Sequence, residues 1–203
     1  MDLSEAIAEG DLNMKAKEVL RKLFVPLTWL NQLVPKKKNQ IFFYANLGFR
    51  DNVRAMYDYC IKQQLNRYYR LVCAVPEWQQ MQKTAPPNVV FLPPQKGMWQ
   101  FLRSRSAFYS FGKYPIKPAK GQMVVNLWHG VPLKRIGNME PQNAGIDYNY
   151  FTYLLVTSPY YVPIMKQCFR CRDEQILICG QPRNDTLFTA DTAKEQSVRQ
   201  QQK

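Results

Sequence analysis

The stretch Val124-Val125-Asn126-Leu127-Trp128-His129-Gly130-Val131-Pro132-Leu133-Lys134 runs from apolar residues into a turn and then into the cations Lys134 and Arg135. His129 is the only histidine in the chain. Imidazole is the side chain whose ordinary pKa lets it accept a proton near neutral pH. Open α/β sheets place their ligands outside the carboxyl ends of the strands, where this histidine should stand. Position alone favours a turn or core histidine, and its neighbours shift the balance towards a base. From Trp78 to Met139 there is no Asp or Glu, whereas Lys83, Lys96, Arg103, Arg105, Lys113, Lys117, Lys120, Lys134 and Arg135 all fall there. A base inside an acid-free basic window suits a phosphate-bearing substrate, because positive groups offset the charge that moves in phosphoryl transfer. Part of the surplus serves only as a solvated surface.

Other chemistries fit less well. Cys168-Phe169-Arg170-Cys171 has CxxC spacing, with Cys179 nearby. A structural zinc site needs four ligands, and only the distant His129 could add to the cysteines. A thioredoxin-like pair should follow the first strand of its domain, and this one comes late. Buried structural cysteines are expected. Neither a P-loop nor a GxGxxG turn is present. The sequence also lacks zinc-finger spacing, a KH-type GXXG loop and basic heptads, so nucleic acid ranks low as a partner. No metal or cofactor is expected.

The elements that position His129 alternate regularly. Strands are expected at Ile41 to Ala45, Leu71 to Val75, Val89 to Leu92, Ser106 to Ser110, Val124 onwards, Tyr153 to Thr157 and Gln175 to Cys179. Val53, Met56, Tyr57, Cys60, Ile61 and Leu65 share one helical face, with Asp51 or Asn52 as its cap. Trp78 to Lys83, Gly97 to Arg103 and the segment from Ser158 to Phe169 complete the helices. This order predicts an α/β fold: a Rossmann-like, mostly parallel sheet with helices on both faces.

The net charge is +13, from 28 Lys and Arg against 15 Asp and Glu, which favours anionic partners. Residues 1 to 13 hold four acids and no base, so no secretory leader is read there. The five cysteines are too few for a disulfide scaffold, and an intracellular protein with reduced thiols is expected. No apolar run reaches the roughly 20 residues that span a bilayer. Met14 to Lys38 carries seven bases and one acid around an apolar face, with Pro26 kinking or splitting it. This basic amphipathic helical arm fits either an anionic membrane surface or a helix packed on the domain. Its membrane-facing candidates are Lys15, Lys17, Arg21, Lys22, Phe24, Trp29, Lys36, Lys37 and Lys38.

Trp128-His129-Gly130-Val131-Pro132-Leu133-Lys134, followed by Gly137, resembles the W-H-G-T-P-L-K…G signature of the CDP-glycerol glycerophosphotransferase family. Three further stretches agree in order. Gly48 with Asp51-Asn52 resembles the family's G…DN turn, Leu155-Val156-Thr157-Ser158 its strand ending in a hydroxyl residue, and Gly180-Gln181-Pro182-Arg183-Asn184-Asp185 its G-x-P-R-N-D motif. The resemblance implies the N-terminal half of a GT-B architecture, an enzyme of bacterial teichoic-acid or capsule synthesis, and a catalytic base at His129. It implies contacts to substrate or phosphate at Lys134, Arg135, Gly130, Asn52 and Arg183. It also implies a CDP-glycerol or CDP-ribitol donor, a polyol-phosphate or lipid-linked acceptor, and a peripheral place on the cytoplasmic face of the plasma membrane. The expected organisation is an arm at 1–39, an acceptor-side domain at 40–189 and a polar tail at 190–203, with the donor-binding domain absent and to be supplied by a separate half. Val131 stands where the family has Thr, and no second histidine is present. The alternative is a non-catalytic membrane-surface module that holds an anionic polymer or lipid-linked acceptor.

Overall fold

The computed structural model describes residues 24–188. Lys15, Lys17, Arg21, Lys22 and the 190–203 tail lie outside the described residues. Helix α1 spans Val25–Leu33, strand β1 Lys37–Tyr44 and helix α2 Asp51–Lys62. Then follow β2 (Arg70–Ala74), α3 (Trp78–Lys83), β3 (Val89–Leu92), α4 (Pro94–Arg103) and β4 (Ser104–Tyr109). The second half supplies β5 (Met123–Asn126), β6 (Tyr153–Val156), α5 (Val162–Phe169) and β7 (Ile176–Ile178).

The seven strands form one sheet in the order β3-β2-β1-β4-β5-β6-β7, and each neighbouring pair is parallel. The fold is Rossmann-like, and its sheet is wholly rather than mostly parallel. The chain works outward from β1 in one direction and resumes at β4 in the other. The topological switch therefore falls between β1 and β4, where such sheets open a crevice at the strand ends.

Period-two alternation explains the two cores. Phe42 and Phe43 are neighbours in β1, and both are fully buried on opposite faces. Phe42 joins Val72, Ala107, Phe101 of α4 and Met165 of α5. Phe43 joins Leu71, Phe108 and the α2 residues Val53, Tyr57 and Cys60. Helices thus cover both faces, as the alternating pattern predicts. Each such side chain contributes about 1.5–3 kcal/mol of burial. Cys60, Cys73, Cys168 and Cys171 are buried free thiols, and burial raises the pKa of each. Cys179 is exposed, and partial burial of its thiol raises its pKa as well.

Three expectations are corrected, and one of the two readings of the arm is met. Pro26 lies in the first turn of α1, a place where its missing N–H costs nothing, so within the described residues it opens a helix rather than kinking one. The N-cap of α2 is Arg50, not Asp51 or Asn52. Strand β1 begins at Lys37, so Lys37 and Lys38 belong to the sheet and not to an arm ending at 39. Finally, α1 is docked on the domain. Phe24, Leu27 and Val34 pack against the core. Buried Asn31 donates to Lys117 O and Gln122 Oε1, each at 2.9 Å. Lys36 turns inward: its ammonium donates to Asn31 O, Asn31 Oδ1 and Leu102 O at 2.6–2.7 Å. Its burial pushes the pKa down to about 8. Phe24 and Lys36 are therefore structural contacts of the domain. Val25, Trp29 and Leu33, spaced four apart, remain exposed on the outer side of α1. No helix among the described residues is long and apolar enough to cross a membrane.

Candidate active site

His129 follows β5 at the carboxyl edge of the sheet. The chain leaves the strand through a local turn, in which Trp128 N–H donates to Asn126 Oδ1 at 2.9 Å. Asn and Asp side chains favour such turns because their oxygen substitutes for a backbone acceptor. Leu127 N–H still reaches Tyr109 O of β4 at 2.8 Å. Trp128 then adopts φ 53°. A left-handed tryptophan is strained by about 1–3 kcal/mol, so the surroundings must hold it.

Asn52 does so. This residue is fully buried at the start of α2. Its Nδ2 donates to Leu127 O at 3.3 Å and to Trp128 O at 3.0 Å, and its Oδ1 accepts Arg183 N–H at 3.2 Å. Asn52 thereby ties the DN, WHG and PRND segments to one another. With both ends of its amide engaged and no exposed surface, its role here is positional rather than the phosphate contact expected of it.

Arg183 sits on a short 3₁₀ segment, Pro182–Leu187. Its guanidinium pairs with Asp51 Oδ1 at 2.9 Å, and a Cβ placed on Gly130 would lie 3.7 Å from its Nη2. Asp51 itself has φ 63° and accepts Asn52 N–H at 2.7 Å. The His129 ring stacks on Phe111 (centroids 4.7 Å apart, interplanar angle 19°) and tilts over Trp128 at 3.9 Å. Trp128 in turn stands edge-on to Phe169 of α5 at 5.0 Å. Among the described residues no hydrogen bond engages the imidazole. Burial holds its pKa below the ordinary 6.5; Asp51 raises it and Arg183 lowers it. The ring is therefore neutral at neutral pH, half-buried, and able to accept a proton.

His129, Gly130, Asn52 and Arg183 are gathered at one place. Lys134 and Arg135 are exposed on the loop beyond, next to Leu133, which is 95% exposed. Sequence reading missed Phe111 and gave Asp51 only a capping role. The aromatic support of Phe111 carries no sequence signal, and Asp51 meets Arg183 only through the fold.

Beside this cluster, across the Trp128 indole, lies a cavity of about 320 Å³ at the ends of β4 and β5. A wider, more open cleft of about 680 Å³ is lined by Lys117, Lys120, Arg170 and Arg172 at the opposite, amino-terminal end of β5 and β6. No group of three His, Cys, Asp or Glu side chains able to hold a metal occurs among the described residues.

Comparison with known proteins adds three findings. Residues 27–202 match the family model described as CDP-Glycerol:Poly(glycerophosphate) glycerophosphotransferase. Among solved structures, the wall teichoic acid polymerase TagF matches with TM-score 0.64 and 19% identity over 88% of this chain and 49% of that chain. A TagF variant soaked with CDPG matches with TM-score 0.68 and 19% identity over 91% of this chain and 52% of that one. This chain thus spans about half the length of the structures it resembles. No curated protein matches by sequence.

Proposed function

The chain belongs to the CDP-glycerol:poly(glycerophosphate) glycerophosphotransferase family, and from that membership we propose that it is the acceptor-side half of a glycerophosphotransferase. The donor is CDP-glycerol or CDP-ribitol, and the acceptor is a teichoic-acid or capsule-type polyol phosphate. A second, donor-binding half completes the cleft. His129 takes the proton from a terminal acceptor hydroxyl. That oxygen forms a bond to the donor's polyol-bearing phosphorus, the phosphoanhydride bond breaks, and CMP leaves with the electron pair. Arg183, close against Gly130, together with Lys134 and Arg135 on the exposed loop beyond, meets phosphate charge. A neutral, half-buried histidine at the carboxyl edge of β5 is the observation that carries this reading.

The test is transfer of labelled glycerol phosphate from CDP-glycerol by this chain combined with a donor-binding half from the family. His129→Ala is expected to lower the rate about 10²–10⁴-fold, the usual contribution of a general base. Undiminished transfer by that variant would remove His129 from the chemistry.

We further propose peripheral attachment to the cytoplasmic face of a bacterial plasma membrane. The exposed α1 stripe of Val25, Trp29 and Leu33 supports it, together with the basic residues 15–22, as an interfacial anchor combines apolar area with cations.

A further inference from the structure

Of the four buried side-chain oxygens or nitrogens without a hydrogen-bond partner among the described residues, three lie at the topological switch: Asn46 Oδ1, the Tyr109 hydroxyl and the Ser110 hydroxyl. Folded proteins rarely leave such groups unpaired, and a cluster of them demands an explanation. Tyr109 and Ser110 are 6% and 4% exposed, and both line the 320 Å³ cavity. Its remaining wall combines an aromatic face, Trp128, with the Asn126 amide, the Glu140 carboxylate, which accepts from Asn143, and the Lys113 ammonium on the phosphate side proposed below. That ammonium stands 5.3 Å over the Tyr148 ring. The volume sits at the lower end of the range for small-molecule sites, about 300–1,000 Å³.

We propose that this cavity is a binding site for one short polyol-phosphate unit of the acceptor. The carbon chain of the polyol lies against the Trp128 indole. Its hydroxyls pair with the hydroxyls of Tyr109 and Ser110, and its phosphate faces Lys113. Because Trp128 also carries the His129 ring, a unit seated here leaves the next hydroxyl of the chain on the histidine's side of the indole. The existence of a ligand site rests on the orphaned hydroxyls, and the naming of the polyol phosphate rests on the function proposed above.

The experiment is an NMR titration of the full chain with glycerol 3-phosphate, with glycerol and inorganic phosphate as companion probes. Saturable binding of glycerol 3-phosphate is expected, weakened about three- to tenfold by each of Tyr109→Phe and Ser110→Ala. Lys113→Gln should reduce glycerol 3-phosphate to the level of glycerol. Each hydroxyl deletion removes one oxygen with no protein partner, so the melting temperature should hold within about 2 °C or rise. Unchanged affinity in the Tyr109→Phe/Ser110→Ala double variant would overturn the proposal, as would equal binding of inorganic phosphate. A clear loss of stability would also overturn it, by showing that the hydroxyls serve the fold. If the joined enzyme transfers no glycerol phosphate, the proposed function fails while the titration still decides the cavity. If transfer proceeds but the acceptor KM is the same in the double variant, the cavity proposal fails alone.

Discussion

Asn52 Nδ2 stands 3.0 Å from the carbonyl oxygen of Trp128, a residue 76 positions later whose φ is 53°. The bond crosses from the start of α2 to the turn after β5, and it holds the backbone from which the His129 ring projects. Asn52→Ala leaves two carbonyls and the Arg183 N–H unpaired, at an expected cost of about 2–4 kcal/mol. Asn52→Asp should cost more, because a carboxylate would face two carbonyl oxygens in a buried site. Chemical denaturation measures both. The His129 ring signals should shift in either variant, and unchanged signals would show that the turn holds itself.

A single histidine makes the titration of the site directly readable by NMR. Burial keeps the His129 pKa below 6.5, so the base is lost only on the acid side, and kcat/KM in the joined enzyme should fall below a pKa under 6.5. Asp51→Asn removes an attraction for the imidazolium and should lower the pKa further. Arg183→Gln removes a repulsion and should raise it. The stability sign follows from linkage. Between the folded pKa and 6.5 the unfolded chain binds more protons, so stability rises with pH across that interval and is lower on its acid side. A His129 pKa at or above 6.5 would contradict the burial argument.

Gly137 rims the cavity with φ 54°, and a Cβ there would lie 2.6 Å from the backbone oxygen of Cys168. Gly137→Ala therefore combines backbone strain with a clash against an atom that cannot rotate away, and an expected loss of about 2–4 kcal/mol. Gly145 offers the control: its φ is 88°, with nothing within 4 Å of the added atom. Gly145→Ala should cost about 1–2 kcal/mol from the left-handed backbone alone. Equal losses in thermal unfolding would mean that the Cys168 contact carries no weight.

The parallel sheet was legible because most of its strands contain an apolar run closed by Pro, Gly or Asn, and its helices repeat with the expected period. The place of His129 at the carboxyl edge of the sheet was legible because it follows such a run. The Asp51–Arg183 pair was not, since its members are 132 positions apart and meet only when the crossovers bring the ends of the domain together. Asn52 carried a motif signal but not its role, because a buried amide and a phosphate-binding amide look alike in one dimension. Helix α1 left two readings open for a different reason. Its docking combines the apolar Phe24, Leu27 and Val34 with polar groups, Thr28, Asn31 and Gln32 bonding the 117–120 segment, while Val25, Trp29 and Leu33 face outward. An apolar count cannot tell which side of such a helix is the inner one.

That two-sided arrangement yields a membrane test in which structural and interfacial residues separate. Trp29 and Leu33 are 72% and 79% exposed, so alanine at either should barely affect folding. If the outer stripe lies in an anionic bilayer surface, removing each side chain forfeits part of about 1.5–3 kcal/mol of apolar burial. Partition onto phosphatidylglycerol vesicles should then fall several-fold per substitution, and less on vesicles of neutral lipid, which bind weakly from the start. Lys36→Met should behave in the opposite way. Its ammonium is taken up by Asn31 and Leu102, so the variant should lose stability while vesicle partition of the folded protein stays the same. Undiminished partition in the Trp29→Ala/Leu33→Ala double variant would detach α1 from the membrane reading.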